Sequence, residues 1–235
     1  NSKYPSYADL HAHSISSGHG SEDTITDMIR CASESGLSLF GISDHSPATS
    51  SSAKPSYFQS LKLADRDRFG IRVLYGAELN IINTAGDVDL DDDTLSTLDY
   101  AIISIHPPIF KPYHDKDLSS AYIRAMDHPK VRFLGHIDDA RFPVDFEYLL
   151  EIAKEKHVYP EINNGSLMPD AYRINGQENC RRILSICKKL DLPVLLSSDS
   201  HGKKNIGNMQ YIFPLLEELD FPAHLVLNSD LSALS

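Results

Sequence analysis

At 235 residues and 41% apolar content the chain is long enough for one sizeable core, and 22 Lys and Arg against 33 Asp and Glu leave a net charge of −11. That acidity argues against a duplex nucleic-acid binder resting on phosphate contacts, because a polyanion is repelled at long range. No run approaches the ~18–20 apolar residues of a bilayer span and no charged-then-apolar leader is found, so a cytoplasmic protein is expected. Three cysteines make no disulfide framework; Cys180 and Cys187 share a helical stripe with Ile183 and Leu184, the pattern of a core face.

Strand and helix patterns alternate along the whole chain, with no linker or charge break, so residues 1–235 read as one domain. Tyr7–Leu10 is a strand leading into His11 and His13, and a helix follows with Ile25, Met28, Ile29 and Ala32 on one face, closed by Gly36. Leu39–Ser43 is a strand ending at Asp44-His45, then a Ser/Pro-rich loop and a helix over Tyr57–Phe69. Val73–Ala77 runs into Glu78, and Gly86-Asp87 supplies turn chemistry for a hairpin within Ile81–Leu90. Ala101–Ile105 ends at His106 and Val131–Gly135 at His136, before a helix capped by Asp145 with Leu149, Ile152 and Ala153 on one side. Val158–Ile162 ends at Asn163-Asn164-Gly165, and a helix over Cys180–Lys189 leads to Val194–Ser197 and Asp199.

Strands separated by helices indicate parallel βαβ units. Six of the seven strands carry a metal-competent residue at their C-terminal end, and from His13 through His136 these are spaced at roughly 30 residues, about one βα unit. A closed α/β barrel projects its site residues from that rim, so the expected fold is a distorted seven-stranded (β/α)7 barrel, with an open sheet as the fallback.

The rim residues carry the chemistry. In His11-Ala12-His13 the spacing of two puts both imidazoles on one side of an extended strand, a half-site for Zn²⁺ or a similar metal, and Asp199-Ser200-His201 repeats it. Glu78 ends an apolar run, where a buried acid is costly unless a cation meets it. A lone strand-end histidine is ordinarily a hydrogen-bonded core or loop residue, but here six of eleven histidines and two acids occupy the same relative position. His114, His128, His157 and His224 lie outside this pattern; of these His114 is placed nearest the site.

Asp9-Leu10-His11-Ala12-His13, Ser43-Asp44-His45, Gly76-Ala77-Glu78, His106, His136 and Ser198-Asp199-Ser200-His201 together resemble the PHP (polymerase and histidinol phosphatase) family, closest to its YcdX-type phosphatases. The resemblance covers nearly the full chain. It implies a trinuclear site, typically of zinc and sometimes of iron or manganese. Carried over by position, one ion takes His11, His13, Glu78 and Asp199, a second shares Glu78 and takes His106 and His136, and a third takes His19, His45 and His201. His19 enters only through this match.

Three divalent ions would reverse the local field of an acidic protein and draw in a small phosphate ester, with a metal-bridging hydroxide as nucleophile. Glu78, Asp199 and His201 are the expected catalytic residues, with Asp199 or a neighbouring histidine passing a proton to the leaving group. Arg141, Asn163, Arg173 and Lys203 are candidates for substrate contact, Asp9 and Asp44 for orienting imidazoles, and Asp91-Asp92-Asp93 reads as a solvated acidic run. A phosphodiesterase or exonuclease and a non-catalytic partner-binding PHP module remain alternatives. An amidohydrolase would need a bridging Lys that no strand end offers. The sequence leaves the oligomeric state open.

Overall fold

The computed structural model describes residues 2–110 and 116–234. Seven parallel strands form a nearly closed barrel: β1 (Ala8–Asp9), β2 (Leu39–Ile42), β3 (Ile71–Asn80), β4 (Tyr100–Ser104), β5 (Val131–Leu134), β6 (Tyr159–Asn163) and β7 (Leu195–Ser197). Each strand pairs with its sequence neighbour in that order, as the alternating pattern required. Helices α1 (Ile25–Glu34), α2 (Pro55–Ser60), α3 (Asp92–Ser96), α4 (Ser119–Ala125) and α5 (Phe146–Lys156) follow the first five strands. The short α6 (Asn164–Leu167) and long α7 (Gly176–Leu190) follow β6, and α8 (Phe213–Glu218) follows β7.

Local chemistry explains most of these boundaries. Thr24 and Asp145 cap α1 and α5 by accepting from the amides of Asp27 and Tyr148. Asp91 caps α3 in the same way, while Asp92 and Asp93 are exposed, so the acidic run is spent on a helix start. Cys180 and Cys187 are fully buried in the layer between helices and barrel, with Ile183 and Leu184.

Two expected elements differ. The helix foreseen over Tyr57–Phe69 stops at Ser60 and continues only as a 3-10 turn, because Phe69 and Gly70 take positive φ (49° and 76°) and turn Asp67–Arg68 back as a short antiparallel strand on β3. The foreseen hairpin after β3 is reduced to a single Ile81–Val88 bridge around the turn at Gly86.

Inside the barrel Tyr100 fills the space that two inward-facing glycines leave: a Cβ at Gly41 would lie 2.2 Å from its hydroxyl, and one at Gly76 2.8 Å from its ring. Its hydroxyl donates to the Leu10 carbonyl at 2.5 Å. The last seam, between β7 and β1, is closed by a side chain. Asn228 Oδ1 accepts from the Leu196 amide at 2.7 Å, and its Nδ2 donates to the carbonyls of Ala8 and Leu196 at 2.9 and 2.8 Å. Above it, Ala12–His13 and Ser200–His201 pair as two short parallel strands, which sets His13 beside His201.

Candidate metal centre

Seven of the nine foreseen ligands gather around an eighth, Glu78, and the ninth, His19, stands at the rim. Glu78 Oε1 lies 3.1 Å from His11 Nε2, 3.3 Å from His13 Nε2 and 3.1 Å from His45 Nδ1; its Oε2 lies 3.0 Å from His136 Nε2 and 3.4 Å from His106 Nε2. Asp199 Oδ1 is 3.3 Å from His11 Nε2 and 3.1 Å from His13 Nε2. His201 stacks on His13 at 4.3 Å between ring centroids. His19 is exposed, its ring 5.4 Å from that of His45 and 5.3 Å from that of His201.

Three of these residues, His19, His136 and Asp199, adopt positive φ (56°, 29° and 55°). A non-glycine residue in that region is strained, and such strain collects where a side chain must be aimed.

Burial makes the cluster decisive. His11 Nε2, His13 Nε2, both ring nitrogens of His45, Glu78 Oε1 and Asp199 Oδ1 are buried and have no hydrogen-bond partner among the described residues. Orphaned polar atoms of this kind cost about 1–3 kcal/mol each. A divalent cation among them removes that cost, and a set of imidazoles and carboxylates suits zinc or a similar ion. Among the described residues three groups have ligand atoms close enough together to share an ion: His11, His13, Glu78 and Asp199; His45, Glu78 and His106; and His13, His45 and His201.

The surroundings also fix which ring nitrogen is free. His11 Nδ1–H donates to Glu161, His13 Nδ1–H to Ser17 Oγ at 3.0 Å, His106 Nδ1–H to Asn80 Oδ1 at 2.8 Å and His201 Nδ1–H to the Asp199 carbonyl at 3.0 Å. Ser17 can accept because its own hydroxyl donates to Asp44 Oδ1 at 2.7 Å. In all four rings it is thus Nε2 that faces the cluster, the arrangement by which outer partners orient metal-binding imidazoles.

Charges within the cluster balance. Burial opposes ionisation of Glu78, but His11, His106 and His45 outweigh it and hold the carboxyl well below its usual range. Asp199 is likewise held down against burial, by His11, His13 and Arg173. Burial also disfavours a charged His13, yet Asp199 and Glu78 lift it to about 9. His201 goes the other way, pushed down to about 4 by burial and by His13.

Other foreseen residues divide. Arg173 is buried, donates to Asp199 Oδ2 at 2.8 Å and to Ser166 Oγ at 3.1 Å, and lines the cavity above the cluster with Arg141. Arg141 is clamped by Asp139 (Nη2–Oδ2 2.6 Å). Asn163, foreseen against substrate, is fully buried, with its amide spent on Glu161, Asp199 and the Gly165 amide. Lys203 does not line the cavity; it sits at the surface beside Asp23, 3.6 Å away. Asp9 orients no imidazole but ties the barrel seam through Ser198 Oγ and the Gly207 amide, whereas Asp44 acts on His13 through Ser17. His114 lies outside the described residues.

The sixth strand offers only Asn163 and Asn164 at its C-terminal end. Its contribution is Glu161, two residues earlier on the same inward face, which holds His11 and accepts from the His136 amide at 3.0 Å. An acid inside a buried apolar strand was the available signal, the same one that singled out Glu78.

Residues 9–165 match the model of the PHP domain. The chain belongs to the PHP domain family. A PHP relative from Clostridium acetobutylicum, named a probable phosphatase, is 36% identical over 222 residues, covering 94% of this chain and 90% of its own length. One of the same name from Acetivibrio thermocellus is 33% identical over 221 residues, covering 94% and 90%. Among solved structures, histidinol phosphate phosphatase from Lactococcus lactis, complexed with zinc, L-histidinol and phosphate, matches with a TM-score of 0.61 at 18% identity, over 92% of this chain and 95% of that one. A chain of an archaeal ribonuclease P bound to mature tRNA matches with a TM-score of 0.54 at 16% identity, over 93% and 89%. At such identities the likeness to solved structures is one of fold, the PHP barrel.

Proposed function

We infer that this PHP protein is a metal-dependent phosphomonoesterase acting on a small phosphate ester. The observation that carries this reading is the set of buried, unpartnered ligand atoms converging on Glu78 and Asp199; the phosphatase names of its relatives support the choice of ester.

Three divalent ions fit the donor set. His11, His13, Glu78 and Asp199 would hold the first; Glu78, bridging, with His106 and His136 the second; His45 and His201, completed by His19 at the rim, the third. Divalent ions there supply Lewis acidity, activating a water and neutralising phosphoryl oxygens. The chain's own groups do the rest. Arg173, immobilised by Asp199 and Ser166, presents its guanidinium to the cavity and would grip a phosphoryl oxygen. Asp199, ionised and at the cavity wall, would take up the proton that the attacking water gives up and pass it to the leaving oxygen. Glu161, Ser17 and Asn80 hold the imidazoles in the ligating tautomer.

The net charge of −11 disfavours a long polyanion, which weighs against the exonuclease alternative. Metal analysis of the purified protein, with turnover of a panel of phosphate mono- and diesters in Zn²⁺ or Mn²⁺, tests the assignment. Fewer than two bound ions per chain, or diesters cleaved in preference to monoesters, would overturn it.

A further inference from the structure

The Ile81–Val88 bridge after β3 brings Asp89 back alongside Asn80, the last residue of that strand. Gly86 makes the return possible: its φ is 83°, and a Cβ there would lie 2.5 Å from the Ala121 carbonyl oxygen of α4. Asp89 is half-buried, and its carboxylate gathers four donors among the described residues. Oδ1 accepts from the Asn80 amide at 3.0 Å and from the Ser46 hydroxyl. Oδ2 accepts from the Ala48 amide at 2.8 Å and from Asn80 Nδ2 at 2.9 Å. None of these residues is a candidate ligand, but Asn80 touches one: its Oδ1 accepts from His106 Nδ1–H at 2.8 Å.

The two ends of a carboxamide have the same shape, so the neighbours decide which way round it lies. Asn80 is fully buried, and its two ends meet different demands. Its NH2 end faces Asp89 Oδ2 together with the hydroxyl oxygens of Ser46 and Thr49, at 3.2 and 3.0 Å. The Ser46 hydrogen is committed to Asp89 or to the Glu78 carbonyl, and the Thr49 hydroxyl can donate or accept. The carboxylate can only accept. It therefore keeps the NH2 end toward itself and turns Oδ1 toward His106, which must then carry its proton on Nδ1. Turned the other way, the amide would donate to Nδ1 and force the ring proton onto Nε2, the nitrogen that faces Glu78.

We propose that Asp89 is a positioning residue of the metal centre: through Asn80 it sets the tautomer of His106, and so keeps Nε2 free for the second ion. The proposal rests on the metal-dependent reading of the site. It gives the shortened hairpin after β3 a part in the chemistry, as the arm that carries Asp89 to its place.

Two-bond proton–nitrogen NMR correlations of the metal-free protein tell a ring proton on Nδ1 from one on Nε2; at about pH 8 burial keeps His106 neutral. The parent should show Nδ1–H. In Asp89→Asn the new side-chain oxygen does best facing the Asn80 amide and the Ser46 hydroxyl, which sets its NH2 against that of Asn80. The Asn80 carboxamide then turns over and the His106 proton should move to Nε2. Zn²⁺ affinity at one site should fall about 10–100-fold, as for loss of an outer partner. Adding Asn80→Asp to that variant supplies one acceptor for both His106 and the amide at position 89, and should restore Nδ1–H and the affinity. Ser46→Ala loosens the same network but leaves the carboxylate, and should leave the tautomer unchanged. Nε2–H in the parent, Nδ1–H retained in Asp89→Asn, Nε2–H persisting in the double variant, a shift in Ser46→Ala, or an affinity that does not follow the tautomer overturns the proposal. Should Asp89→Asn not fold, the other two variants still decide. A parent protein that binds no Zn²⁺ overturns the metal reading instead, a separate result because the tautomer is read without metal.

Discussion

Exchanging Glu161 for glutamine isolates the role of the sixth strand. The carboxylate is fully buried and accepts on both sides: from His11 Nδ1–H on one oxygen, and from the His136 amide and Asn163 Nδ2 on the other, at 3.0 and 2.9 Å. Glutamine keeps the volume but offers one acceptor and one donor. With its oxygen toward His136 and Asn163 it preserves more bonds, and its NH2 then meets the His11 Nδ1–H. The imidazole relieves that clash by moving its proton to Nε2, the nitrogen required by the metal. Loss of an outer partner of this kind costs about 10–100-fold in metal affinity, or about 1.4–2.7 kcal/mol. Zn²⁺ titration of the metal-free variant against a chromophoric chelator should therefore show one site weakened by that factor and the others kept. Unchanged affinity at every site, or equal loss at all of them, would refute the tautomer argument.

Glu78→Gln should lower the occupancy of two ions together, as metal analysis would show, and reduce turnover by roughly 10³-fold; loss of one ion alone would rule out the bridge. Metal binding at pH 7.5 should release protons, because His13 titrates near 9 in the metal-free protein and a ligand must shed its proton first. Calorimetry in two buffers of different ionisation enthalpy measures this release. The sign follows from a folded pKa raised above 6.5: the His13 pairing stabilises the metal-free fold fully below about 6.5 and is lost as pH rises through about 9, while metal affinity climbs over the same window. Arg173→Ala should weaken competitive inhibition by inorganic phosphate by about 10–100-fold, the worth of a charged hydrogen bond. Asn228→Leu leaves the Leu196 amide and the Ala8 and Leu196 carbonyls without their partner and should cost about 3 kcal/mol or more in urea unfolding; an unchanged midpoint would show that the seam does not depend on Asn228.

Much of the barrel was readable because its signals are local. A short strand running into His or Glu, followed by a helix, repeats at a near-constant interval, and Asp145 caps the helix that the sequence places behind it. What escaped depends on positions far apart in the chain. Nothing near Asn163 says that its amide faces Glu161 and Asp199 rather than the cavity, and nothing near Lys203 says that Asp23 holds it at the surface. The Asp44–Ser17–His13 relay joins two loops through a serine that carries no motif of its own. Phe69-Gly70 is the opposite case: the breaker was local, and the apolar periodicity of Tyr57–Phe69 masked it.

The side-chain seam has a consequence for the order of events during synthesis. β1 emerges before the other strands, whereas the groups that close the barrel against it, β7 and Asn228, come after β6. Until then one edge of the sheet lacks its neighbour, the condition under which strands pair with the wrong partner. Asp199 and His201 are also translated late, so the metal-binding pocket is completed only as the barrel shuts. Closure of the barrel and completion of the candidate ligand cluster are therefore one late step.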